Sequence, residues 1–247
     1  MAMMRTANPA LNKSTFENLA STGNEYMTID GTVNRSFILL ILLLVPAFYT
    51  WGLFLQQSPL IMPFLWGGLI GGLVVALITV FKKQWAPYTA PIYAMLEGLV
   101  LGALSSMMEL LFPGIVIQAV ALTFGTMLCL LFAYKSGWIK ATENFKLGVV
   151  AATGAIFVIY MLTFILGFFS INIPYIHDSG LIGIGFSLFV VVIAALNLVL
   201  DFDFIEQGAN SKAPKYMEWY ASFGLMVTLI WLYIEILRLL SKLRSRD

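Results

Sequence analysis

Apolar residues run in long unbroken blocks along this chain, and polar residues collect in the short stretches between them. A bilayer core about 30 Å thick needs roughly 20 apolar residues at about 1.5 Å each to be crossed by a helix. Seven blocks meet that length, near residues 36–56, 60–81, 87–112, 115–134, 147–171, 180–204 and 216–240. They are separated by Gln56 to Pro59, Lys82 to Gln84, Pro113-Gly114, Lys135 to Lys146, Ile173 to Ser179 and Glu206 to Lys215. Loops this short force neighbouring helices to run antiparallel, and a spanning segment must satisfy its backbone internally. The pattern predicts an all-α, polytopic membrane protein with seven transmembrane helices. A polar cytoplasmic tail over 1–34 precedes a transmembrane domain over 35–247, and the tail is too long and hydrophilic to open a secretory signal peptide.

Composition agrees with the pattern. Of 247 residues, 60% are hydrophobic and 11% charged, with a mean hydropathy of +0.89, against about 25% charged residues in soluble domains. The net charge of +1 comes with no basic block suited to nucleic acid. The lone Cys129 cannot form an intrachain disulfide, and the lone His177, in an outer loop, cannot build a histidine metal cluster. No cofactor is expected.

Lysine and arginine set the orientation, because cytoplasmic loops carry their excess. Arg5, Lys13 and Arg35 precede the first span. Lys82 and Lys83 occupy the second loop, Lys135, Lys140 and Lys146 the fourth, and Lys212 and Lys215 the sixth. The first, third and fifth loops hold none, which places the N-terminus in the cytoplasm. Seven crossings then leave the C-terminus outside, against the rule, because it carries Arg238, Lys242, Arg244 and Arg246. The last segment either spans fully or returns as a re-entrant hairpin. Its length and unbroken middle favour the full span.

Helix packing in lipid relies on small residues at four-residue spacing. Ala90, Ala94, Gly98, Gly102 and Ser106 form such a stripe in the third block; Gly68, Gly72 and Ala76, beside Gly67 and Gly71, form one in the second. Glu97 flanks the third-block stripe and points toward protein. A carboxylate near mid-span costs about 2.5–3.5 kcal/mol on insertion scales, so it invites a functional reading.

In the sixth block the chain reads AALNLVLDFDFIE over 194–206, three acids after a long uncharged run. At 100° per residue, Ser187, Ala194, Asn197 and Asp201 lie within about 80° of one another, with Asp203 opposite. Asp201 is therefore aimed inward, while Asp203 and Glu206 meet headgroups, water or loop lysines. In the seventh block Ala221, Gly224, Thr228, Glu235 and Lys242 share one face, with Arg238 three residues beyond Glu235 and able to pair with it. Counted from the cytoplasmic ends, Asp201 is shallow, Glu97 lies about 20 Å up and Glu235 nearer the far side. Acids staged in depth along a bundle interior suit the passage of a cation or proton.

At these residues the chain resembles the Bax-inhibitor family of membrane proteins, with its bacterial relatives. Met95-Leu-Glu-Gly-Leu-Val-Leu-Gly102 is similar to the family's third-span pattern, and Leu200-Asp-Phe-Asp-Phe-Ile205 to its sixth-span motif. Tyr220 to Leu240 resembles its closing helix, and Val33-Asn-Arg-Ser36 its entry to the first span. The resemblance covers nearly everything after residue 30, and the tail with Asn8-Pro-Ala-Leu11 looks like a bacterial subgroup, hence an inner-membrane location. It implies six helices around a central seventh and a pH-sensitive calcium leak in which two aspartates on the last two helices share a proton. Asp201 matches the first aspartate. The second falls on Thr228, which cannot ionise, so either Glu235 takes its role or the pair is missing. Lys82 or Lys83 stands where the family places a basic latch.

Two functional readings follow. In the first, the protein is a passive Ca²⁺ or H⁺ leak, with Asp201 as gate and Glu97, Glu235, Asn197 and Thr228 along the path. Asp201 and Glu235 would then ligate Ca²⁺ in passing. In the second it is a non-conducting regulatory module in the lipid bilayer that binds other membrane proteins, such as quality-control proteases. An enzyme is not expected, because no HExxH, paired-aspartate or Ser/Lys hydrolase pattern lies within the spans.

Overall fold

The computed structural model describes residues 26–169 and 180–245. Arg5, Lys13, the Asn8 to Leu11 stretch, His177 and Arg246 lie outside them. Seven helices follow in order: α1 Ile29–Leu55, α2 Ile61–Phe81, α3 Ala86–Leu111, α4 Ile115–Lys135, α5 Glu143–Phe168, α6 Leu181–Asn210 and α7 Met217–Arg244. All seven are long and apolar enough to cross a membrane, and a single 3₁₀ turn, Lys83–Trp85, leads into α3. The all-α, seven-span architecture expected from the hydrophobic blocks is the one observed.

Two boundaries differ from the sequence expectation. The first helix begins at Ile29, inside what reads as polar tail, because Thr28 caps it: its hydroxyl accepts from the Gly31 N–H, and Asp30 sits in the first turn where the helix dipole favours an anion. The sixth helix does not stop where its acids begin. It runs on to Asn210, with the Gln207 side-chain amide donating to the Asp203 carboxylate one turn earlier. Asp201 therefore lies about 14 Å inside the helix end rather than near it.

The last helix is a single uninterrupted rod of 28 residues. It is not a re-entrant hairpin, and it is long and apolar enough for a full span. It is also the most enclosed helix, with 61% of its most apolar window buried, against 50% for α6 and 44% or less for the rest.

The chain divides into two compact units, each with its own packing. Among the described residues, one comprises 26–113 with 203–227 and the other 114–202 with 228–245. In the first unit the small-residue stripe of α3 is buried throughout, at Ala90, Ala94, Gly98, Gly102 and Ser106. Its glycines are there because α1 lies against them. A Cβ at Gly98 would strike the Leu43 carbonyl, and one at Gly102 the Ala47 carbonyl and the Thr50 hydroxyl. On α2 only part of the expected stripe is used. Gly68 and Gly72 face α3 and Gly71 lies beside the Leu96 side chain of that helix, whereas Gly67 is exposed with open space around it. In the second unit Ile156 of α5 packs on Val190 and Ile193 of α6, with Trp231 of α7 against the same cluster.

Replacing Gly98 with Val should lower unfolding stability in detergent by about 1–3 kcal/mol, the usual cost of forcing extra atoms into a packed contact. Gly125→Ala serves as the control: nothing lies within 4 Å of the Cβ it adds, so its melting temperature should not fall.

Candidate functional site

Asp201 is 2% exposed, and it shares its buried face with Ser187, Ala194 and Asn197 as the helical spacing requires. The Thr228 hydroxyl of α7, itself buried, donates a hydrogen bond to the Asp201 carboxylate. The other carboxylate oxygen, Oδ2, is buried with no hydrogen-bond partner among the described residues. A buried acceptor left unmatched costs about 1–3 kcal/mol, more when charged. Asn197, one turn before Asp201, spends its side-chain N–H groups on the Thr153 hydroxyl at 2.9 Å and the Ile193 carbonyl at 2.8 Å, tying α6 to α5.

Glu235 occupies a different setting. It is 1% exposed, and the Tyr160 hydroxyl lies 3.0 and 3.1 Å from its two oxygens. Arg238 Nη1 reaches the same oxygens at 3.1 and 3.2 Å and the Tyr160 hydroxyl at 2.7 Å, while the Trp231 side chain donates a further hydrogen bond. The three-residue spacing made the pairing with Arg238 legible; the tyrosine from α5 was not. Glu235 stands apart from the contact between Asp201 and Thr228. It lies seven residues, about 10 Å along the helix, beyond Thr228, and its oxygens are already held.

Glu97, on α3, is half-buried and aimed at protein as expected: the Tyr93 hydroxyl donates to it, and its Oε1 lies 2.9 Å from where a Cβ on Gly72 would stand. Tyr93 is held in turn edge-on against Phe223, with ring centroids 4.9 Å apart. The latch candidates sit at the turn before α3. Lys82 is exposed at the end of α2, and Lys83 Nζ lies 5.7 Å from the centroid of the Tyr220 ring. Asp203 is half-buried and Glu206 exposed, which agrees with a solvated or loop-facing role for the second of them.

Two buried charges, Glu218 and Lys146, escaped the sequence reading, and a third, Lys242, lies on the face that helical spacing assigned to it with Glu235. Glu218, in the first turn of α7, is fully buried; both the N–H and the hydroxyl of Thr28 donate to its Oε1, at 3.0 and 2.9 Å. Lys215 Nζ lies 3.2 Å from the same oxygen, and Arg35 4.0 Å from Oε2. Beside this clasp, the Ser222 hydroxyl donates to the Thr32 carbonyl and Ser36 to Ser222. The Lys215-x-x-Glu218 spacing was the available signal. Lys146, read as a loop charge marking topology, is 3% exposed. Lys242 is 6% exposed.

No group of three or more His, Cys, Asp or Glu able to hold a metal occurs among the described residues. Ca²⁺ prefers six to eight oxygens, and Asp201 with Thr228 offers one carboxylate and one hydroxyl. Among the described residues, Asp201 and Glu235 are not part of a preformed carboxylate cage for calcium.

These features define a seven-helix integral membrane protein with acids turned inward. Residues 8–245 match the family model described as Bax inhibitor 1 like, and the chain belongs to that family. No curated protein and no solved structure matches it.

Arg238→Ala should destabilise the protein by about 2–3 kcal/mol, because it strands the Glu235 charge. That is less than the 3–5 kcal/mol of a wholly buried pair, since the arginine side chain is 37% exposed. The double change Glu235→Gln, Arg238→Gln should recover part of the loss in thermal unfolding in detergent.

Proposed function

We propose that this protein is a passive cation leak of the cytoplasmic membrane of a bacterium, carrying Ca²⁺ or H⁺, with Asp201 as its gate. The observation that carries the reading is the Asp201 carboxylate, enclosed at 2% exposure with one oxygen matched by Thr228 and the other unmatched. A spanning segment tolerates such a group poorly unless a proton or cation completes it. Ionised Asp201 offers a ligand; protonated Asp201 withdraws it, which makes the gate sensitive to pH. Glu97 and Glu235 supply further inward carboxylates, already restrained by Tyr93 and by Tyr160 with Arg238. The N-terminus lies on the cytoplasmic side, supported by the lysines of the even-numbered loops. The protein works by passage rather than covalent chemistry, and no enzyme activity is assigned to it.

The departure from the family pattern gives this reading its own signature. With Thr228 opposite Asp201, a single carboxylate titrates where two would share a proton. Purified protein in liposomes should release Ca²⁺ faster than empty vesicles, with a pH profile whose inflection disappears in Asp201→Asn. Thr228→Asp places a second carboxylate against the first. Two like charges in contact hold one proton more tightly, so the inflection should move to higher pH. Flux equal to that of empty vesicles at every pH, unaltered by Asp201→Asn, would overturn the leak and favour a regulatory module that binds other membrane proteins.

A further inference from the structure

The ammonium of Lys242 sits in an unusual place for a residue so close to the end of the chain. Its Nζ lies 3.0 Å from the Gly183 carbonyl and 2.9 Å from the Ser187 hydroxyl, all three residues being buried. Glu235, two turns earlier on α7, interacts electrostatically with it as well as with Arg238. One carboxylate thus serves two cations. A backbone carbonyl, a hydroxyl and a nearby carboxylate field are the surroundings that bind a desolvated monovalent cation. Here that cation is covalently attached to the protein.

We propose that Lys242 is a tethered cation filling an oxygen-lined position between α6 and α7, which it closes to free monovalent ions. An ammonium group and a potassium ion are close in size and both seek oxygen ligands, so cutting the tether leaves a position suited to either. Retention of the charge is unfavourable unless these oxygens compensate it, since a buried ammonium without partners is strongly penalised. A lysine that merely joined two helices would leave no ion selectivity behind when removed. The binding claim stands on this geometry alone; only its effect on conduction rests on the leak reading.

The test uses the full chain in detergent, with Lys242→Ala and the longer, polar Lys242→Gln as a second variant should the first not fold. Each is melted in ammonium, potassium and choline chloride at equal ionic strength. Lys242→Ala is expected to gain about 2 °C or more in ammonium and potassium relative to choline, a bound ion stabilising the folded state by mass action. Wild type should show no such difference, and Ser187→Ala added to Lys242→Ala should abolish it. Identical melting of the folded variant in all three salts overturns the proposal. In liposomes the variant should pass potassium several-fold faster than wild type, and added ethylammonium should reverse the gain. Selective stabilisation by ammonium with no flux in any protein would uphold the cation position and discard the leak.

Discussion

The arrangement of this molecule depends on one constraint: a charge carried inside a membrane-spanning segment must find its complement within the protein, because neither lipid nor water supplies one there. The buried ionic groups show how that demand is met. Glu218 draws two hydrogen bonds from Thr28 and a short contact from Lys215; Glu235 is enclosed by Tyr160, Trp231 and Arg238; Lys242 rests on a carbonyl and a hydroxyl. Each of these groups, carried on α7, is held at least in part by residues of another helix or of the segment before one. The charges therefore fix which helices are neighbours, a task that greasy side chains in lipid perform poorly.

At Asp201 the demand is only half met. Its partner Thr228 donates one hydrogen bond and cannot carry charge, and Oδ2 is left over. Glu218 Oε2 is likewise buried without a hydrogen-bond donor, but there the Arg35 guanidinium lies 4.0 Å away. An unmatched buried acceptor of this kind costs stability.

Much of this was legible in the sequence. The seven spans follow from block length alone, and the inward direction of Asp201, Asn197 and Glu235 follows from helical angle, since a rod of 3.6 residues per turn leaves little freedom about which side chains share a face. Helix ends were less legible. Polar residues at 29–35 and acids at 201–206 read as boundaries, yet Thr28 caps a helix that starts early and Gln207 supports one that ends late. Hydropathy registers where a segment leaves lipid, not where its backbone stops coiling. The contacts between helices distant in sequence were legible least. Nothing local to Tyr160 announces that it will meet Glu235, and nothing at Thr28 announces Glu218, 190 positions away. Such pairings belong to the tertiary arrangement. By contrast the Thr228 position, inferred from likeness to a family, proved to be the contact of Asp201.

The meeting of α1 and α3 at Gly98 and Gly102 has a mechanical meaning as well. Main chain touches main chain there, with no long side chains in between to slide or re-rotate. Such a seam behaves like a weld: the two rods travel together or not at all. Any displacement of α3 at this seam must drag α1 with it, whereas contacts made by bulky residues can yield by trading one rotamer for another.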